Sequence, residues 1–295
     1  MNTLITKLGA TGDVVRTTAL LARFPGHVTW ITEAKNVPLL QGFRDDLRCL
    51  KWEDRAEAAD RGYDLAITLE DTVEVATFVQ GQQVKQVYGA YLDAQQKVRY
   101  TPDSSPWFDL SLISVHGRQQ ADHLKLLNRR TYQDLVFAGL GFTFSGEPYR
   151  MPPPPKTDLS GDVAVAREAG PVWPMKNWAF YDQLIEQLRA EGLRVNVLPK
   201  RPTLLEHLGD VAAHRCVVGG DSLPMHFALA TNVRCVSLFN CTSPWEIHEY
   251  GLLTKLISPL LAEFFYKRTF EARATTAITL PEVKAAVLAS LQAAK

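Results

Sequence analysis

The chain has 295 residues, 46% of them hydrophobic and 22% charged, which is enough apolar material to build two ordinary domains. Its 32 Lys and Arg are balanced by 32 Asp and Glu, so it lacks the basic excess of a nucleic-acid binder and any strong pull towards anionic lipid. The opening MNTLITKLGA has no signal-peptide core, no run approaches ~18 apolar residues, and Cys49, Cys216, Cys235 and Cys241 form neither a C-x-x-C pair nor a zinc spacing. These features predict a cytoplasmic protein without disulfides.

In chain order, TLITKL (3–8) reads as a strand, DVVRTTALLARF (13–24) as a helix and HVTWIT (27–32) as a strand. KNVPLLQGF is helical in pattern, LRCLKW (47–52) and YDLAITL (63–69) are strand-like, and EDRAEAADRG (53–62) between them reads as a solvated helix face. VKQVYGAYL (84–92) adds a strand, and residues 118–142 read as a long amphipathic helical region closing on glycines. Such alternation predicts parallel βαβ units. MPPPPKTDLSGD follows, and four consecutive prolines fit neither a helix nor a central strand. They form a stiff extended connector, so the domain boundary is expected at 151–160.

The second half repeats the pattern: strand 162–167, helix 177–192, strand 193–199, helix 203–213, strand 215–220, helix 223–230, strand 233–239 and a last helix at 281–292 with Pro281 in its first turn. Two α/β halves imply a cleft between them as a binding place.

Three stretches carry chemistry. In KLGATGDVV, Gly9 and Gly12 bracket a strand-to-helix turn and Asp13 heads the helix. No Lys-Ser/Thr follows, so it is not a Walker A loop, nor is it the G-x-G-x-x-G of a dinucleotide site. A helix start attracts anions, yet this one carries its own carboxylate. Spacing alone leaves Asp13 open as a helix cap or as a group acting on a hydroxyl. In VVGGDSLPMHF, a buried strand ends in Gly219-Gly220, and Asp221-Ser222 lead into a helix whose first amides can hold phosphate. The alternative there is an ordinary capped turn, with His226 a core residue. In GPVWPMKNW, two prolines tighten a loop, and Lys176 stands between Trp173 and Trp178 as a charge for phosphate or as a solvated lysine. No D-x-D, H-E-x-x-H or G-x-S-x-G occurs, so the metal-bound sugar-nucleotide pair, zinc peptidases and α/β-hydrolases fall away.

Together these stretches resemble the ADP-heptose glycosyltransferases, the bacterial heptosyltransferase family. Lys7-Leu8-Gly9-Ala10-Thr11-Gly12-Asp13 matches its K-x-(G/S)-x-x-G-D opening, and Trp173-Pro174-Met175-Lys176-Asn177-Trp178 matches its W-P-x-K-x-W loop. Asp221-Ser222-Leu223-Pro224-Met225-His226 matches its D-(S/T)-G-(P/L)-x-H signature, and NCTSPWEIHEYG (240–251) is similar to its G-P-T-D-P region. The motifs occur in family order and span nearly the whole chain.

The resemblance implies a GT-B α/β architecture. An acceptor-binding Rossmann-like domain would span 1–150, a linker 151–160 and a nucleotide-sugar-binding domain 161–280, with a helix at 281–295 crossing back to the first domain. It implies an inverting transfer that uses no metal or other cofactor. Asp13 would be the base and Lys176 the cation on the diphosphate. Ser222 and Leu223 would hold phosphate by their amides, and Asp221 would lie near the sugar. Glu206 would bind the ribose, with Thr11, Gly12, Trp173, Gly220 and His226 completing the donor site. The donor would be an ADP-linked sugar. The acceptor would be a glycan, a lipid-linked sugar or a small molecule, with at most weak peripheral membrane contact. Leu223 departs from the family's glycine, and Asn240-Cys241-Thr242-Ser243-Pro244 departs from G-P-T-D-P. Two further readings stay open on sequence: a sugar-nucleotide 2-epimerase of the same two-domain plan, and a non-catalytic nucleotide-sugar binder or scaffold.

Overall fold

A computed structural model of the protein describes residues 1–170 and 172–293. The chain divides into two compact units, Met1–Pro153 and a second from Pro154 onward. The division falls inside the proline run, where residues 151–157 have no regular structure.

The first unit holds β1 (Thr3–Thr6), β2 (Val28–Thr32), β3 (Leu47–Lys51), β4 (Tyr63–Thr68), β5 (Val84–Leu92) and β6 (Val98–Tyr100). They form one sheet in the order β3-β2-β1-β4-β5-β6, parallel except for the antiparallel β5–β6 pair. Every residue of β1 and β2 is buried, as central strands covered on both faces must be. The helix expected at 13–24 is α-helical over Thr11–Thr17 and tightens to a 3-10 turn over Thr18–Ala22. Residues 34–40 also form 3-10 turns, because Pro38 has no N–H to give to an α-helical ladder. The region expected as one long helix is two, Arg118–Leu127 and Tyr132–Gly139. Asn128 is extended (ψ 138°), and a capping box between Thr131 and Asp134 starts the second helix afresh.

The second unit holds β7 (Gly161–Ala166), β8 (Val195–Val197), β9 (His214–Gly220), β10 (Arg234–Phe239) and β11 (Leu253–Ile257). All pairings are parallel, in the order β11-β10-β9-β7-β8. The helix expected from residue 177 begins at Tyr181, since the Trp178 indole N–H is drawn to the Ile278 carbonyl at 2.8 Å. The last helix, Leu280–Gln292, is set by a Thr279–Glu282 capping box with Pro281 in its first turn. Its Val283, Val287 and Leu291 recur at helical spacing and pack into the second unit's core with Val163, Val218 and Val236. The four cysteines are free.

Gly219 marks how closely β7 and β9 approach: a Cβ there would lie 2.9 Å from both the Cβ and the carbonyl oxygen of Ala166. Gly219→Val should therefore lower stability by about 1–3 kcal/mol in equilibrium denaturation, as overpacking does. Unchanged stability would contradict this close packing.

Candidate active site

In each sheet the strand order reverses once, between β1 and β4 in the first unit and between β7 and β9 in the second. Loops leaving such neighbouring strands diverge at their carboxyl ends, where α/β sheets bind ligands. The motifs singled out in the sequence fall at these two places.

In the first unit, Lys7 follows β1 and is buried; its Nζ bonds Glu70 Oε1 at 2.8 Å and the Leu69 carbonyl at 3.3 Å. The same Glu70 oxygen accepts from the amides of Leu8 (2.7 Å) and Gly9 (3.4 Å). Amides in such a turn can cradle an anion, and here the protein's own carboxylate occupies them. Glu70 escaped the sequence reading, although an acid just beyond the strand YDLAITL was the available signal. Thr11 Oγ1 donates to Asn36 Oδ1 at 2.8 Å, and Asn36 Nδ2 donates to the Leu8 carbonyl at 2.7 Å, which fixes the turn from its other side. Gly12 and Asp13 are the second and third residues of the helix, whose N-cap is Ala10 with no side-chain cap bond. Asp13 is thus not the N-cap residue. Its carboxylate, 36% exposed, pairs with Arg16 Nη2 at 2.9 Å.

In the second unit, the Lys176 loop follows β7 and Asp221 follows β9. Lys176 Nζ donates to the Asp221 carbonyl at 2.5 Å and to Asp221 Oδ2 at 3.0 Å; the two side chains are only 12% and 16% exposed. Burial opposes ionisation of Asp221. The charges of Lys176 and His226, with hydrogen bonds from Lys176 and Thr242, outweigh it and hold the carboxyl below its ordinary value. Gly220 makes the approach possible: a Cβ there would sit 3.1 Å from the Lys176 carbonyl oxygen. This glycine admits the protein's own loop, a different role from the ligand approach expected of it. Ser222 is the N-cap of helix Leu223–Ala230, and its hydroxyl donates to the Gly220 carbonyl at 3.3 Å. Leu223 is the first helical residue, and His226 lies buried one turn further on.

Ser222 and Leu223 line a cavity of about 870 Å³ at the carboxyl ends of β7 and β8, with Arg167, Lys200 and Arg201 around it. Arg201 is fixed by Asp210, Nε to Oδ2 at 2.6 Å and Nη2 to Oδ1 at 2.9 Å. His207 also lines the cavity, and burial lowers its pKa from the ordinary 6.5, so the ring is neutral at pH 7. Trp173 stands apart from the cavity lining, edge-on to Tyr266 at 5.1 Å with the Arg268 guanidinium 5.3 Å from its ring. Pro171, one of the two prolines expected to tighten this loop, lies outside the described residues.

Residues 171–264 match the family model described as Glycosyltransferase family 9 (heptosyltransferase). The match lies wholly within the second unit. A search of curated proteins by sequence finds no match. Among solved structures, the chain is similar to the E. coli heptosyltransferase WaaC with ADP-2-deoxy-2-fluoro heptose (TM-score 0.63, 14% identity, covering 98% of this chain and 99% of that one). It is also similar to E. coli ADP-heptose lps heptosyltransferase II (TM-score 0.60, 16% identity, 99% of each chain). A glycosyltransferase family 9 protein from Veillonella parvula matches with TM-score 0.64 at 13% identity, over 99% of this chain and 97% of that one. The fold is therefore that of these GT-B enzymes.

Within the matched stretch, the departure at Asn240 has a structural use. Asn240 is fully buried, and its Nδ2 donates to the Met175 carbonyl at 2.9 Å, clamping the loop that carries Lys176. Glu206 is not brought to the cavity lining. Its carboxylate accepts from the amide (3.0 Å) and hydroxyl (2.8 Å) of Thr203 in a capping box, while Thr203 itself lines the cavity. Among the described residues no group of three His, Cys, Asp or Glu could hold a metal ion, and no helix is long and apolar enough to cross a membrane.

Lys176→Met should cost about 3–5 kcal/mol at pH 7, because Asp221 would remain buried without its cation. The wild-type carboxyl titrates below 3.8, so the stability it contributes is present above that pH and is lost as pH falls through its folded value. The melting difference between wild type and Lys176→Met should therefore be largest near neutrality and shrink towards pH 3. A difference constant with pH would contradict the ion-pair origin.

Proposed function

We propose that the protein transfers a sugar, a heptose from ADP-heptose, to an acceptor hydroxyl with inversion and without a metal, Asp13 serving as general base. The observation that carries this reading is the second unit's switch point. There a buried Lys176–Asp221 pair and the start of a helix lie by a cavity of about 870 Å³, in the unit whose residues 171–264 match the family 9 model. A nucleoside diphosphate fits that chemistry. The amides at Ser222 and Leu223 offer donors to phosphate, and Arg167, Lys200 and Arg201, now paired with Asp182, Glu168 and Asp210, line the cavity as cations that a diphosphate could engage. Leu223 narrows this end of the cavity relative to a glycine. Lys176 would leave the Asp221 carbonyl to meet the diphosphate and stabilise the charge that grows on it. Glu206 would bind the ribose with the oxygen its capping box does not use, since Thr203 bonds only Oε2.

In the transfer, the acceptor oxygen gives its proton to the Asp13 carboxylate and bonds to the anomeric carbon. The bond from that carbon to the diphosphate breaks, and its electron pair leaves with ADP. The amides of Leu8 and Gly9 are already held by Glu70, which supports a role for Asp13 on a hydroxyl rather than a phosphate. The WaaC and heptosyltransferase II matches support ADP-heptose as the donor.

Release of ADP from ADP-heptose, with water or an added sugar as acceptor, tests the reading. Asp13→Ala should lower turnover by about 10²–10⁴ while KM for the donor stays near the wild-type value. Lys176→Ala should raise KM as well. If Asp13→Ala lowers the melting temperature alone and leaves turnover intact, Asp13 is a structural residue and the base assignment fails.

A further inference from the structure

We infer that Arg16 is a positioning residue that holds the Asp13 carboxylate for proton transfer; the inference rests on the reading of Asp13 as the base. The two side chains stand one turn apart on the same helix face, and Arg16 Nη2 meets Asp13 Oδ1 at 2.9 Å. On an exposed helix such a pair is mobile and worth a few tenths of a kcal/mol. This one is different because the cation cannot wander.

The Arg16 side chain is 8% exposed, and its guanidinium carbon lies 4.1 Å from the centre of the Tyr132 ring and 5.4 Å from that of Trp107. Those rings meet edge to face at 4.8 Å. The Tyr132 hydroxyl is tied to Thr17 Oγ1 at 2.7 Å, and that hydroxyl also bonds the Asp13 carbonyl at 2.6 Å. Held against the Tyr132 ring and beside that of Trp107, the buried guanidinium has little freedom to move, and it in turn holds one carboxylate oxygen. The Asp13 side chain is 36% exposed, so its carboxylate stays within reach of an acceptor hydroxyl. A base held to one orientation avoids the loss, about 10²-fold for a misplacement near 1 Å, that a swinging carboxylate would suffer. The other charged and titratable groups about this corner are the Lys7–Glu70 pair, the Tyr132 hydroxyl and Lys125, whose Nζ lies 5.8 Å from the Trp107 ring.

The test compares Arg16→Gln, Arg16→Lys and Trp107→Leu with wild type, reading kcat and KM for ADP release from ADP-heptose across pH, with melting temperatures in parallel. Arg16→Gln should lower kcat by about 10²-fold with little change in donor KM, and the acid limb of its pH profile should move to higher pH. Arg16→Lys restores charge without the stacked fork and should recover only part of the rate, keeping the acid limb near its wild-type place. Trp107→Leu keeps the ion pair but loosens its seat, so it remains informative if Arg16→Gln fails to fold; its kcat should fall several-fold. Wild-type kcat and pH profile in these variants, beside an impaired Asp13→Ala, overturn the inference alone. Full turnover by Asp13→Ala, or no ADP release by the wild-type enzyme, counts against the underlying reading and the inference with it.

Discussion

A buried lysine bridges the two strands at which each sheet reverses its order. In the first unit Lys7, after β1, reaches Glu70, after β4, at 2.8 Å; in the second Lys176, after β7, reaches Asp221, after β9, at 3.0 Å. A parallel sheet sends these loops apart at the reversal and leaves their backbone groups without ladder partners. A lysine from one loop and a carboxylate from the other close that gap, and both pairs are nearly sealed from water. Removing one partner of such a pair is far more costly than the pair is worth, so the geometry of both corners depends on them.

The two corners use the same device for different ends. In the first, Glu70 takes up the amides of Leu8 and Gly9, and Asp13 stands 36% exposed on the helix that follows. In the second, the carboxylate binds the lysine and Thr242, and the helix start at Ser222 and Leu223 lines a cavity with Arg167, Lys200, Arg201 and Glu168. In the proposed reading one corner serves a hydroxyl and the other phosphate. Glycines at 219 and 220 are explained by the same packing: they let β7 and the Lys176 loop come within van der Waals contact of β9.

Much of this was legible in the sequence because it is local. Strands such as TLIT and VTWIT announce themselves by continuous burial-prone residues, and the Lys176 loop and the Asp221 turn are short motifs. What sequence did not reveal is long-range or geometrically subtle. Glu70 lies 63 residues from the lysine it binds, and its place just beyond a strand does not by itself say which lysine that is. The short strands β6 and β11 sit at sheet edges, where alternation is weak. Gly12 and Asp13 shifted from a helix boundary to its interior because the helix begins at Thr11, and that two-residue difference decides against the capping role. Glu206 carried the right chemistry for a ribose, yet a Thr three residues earlier claims one oxygen of its carboxylate. The partnership of Arg16 with Tyr132 and Trp107 joins three segments that no pattern connects.

The central claim is that the second unit binds a nucleoside diphosphate at the Ser222–Leu223 helix start. The most direct measurement is a calorimetric titration of the intact protein, with chelator present, against ADP, UDP, GDP and dTDP. Selective saturable binding of ADP is the expected result. Selective binding of another nucleotide would contradict the ADP-linked donor while leaving the site in place. Absence of binding by all four to the folded protein would contradict the claim itself.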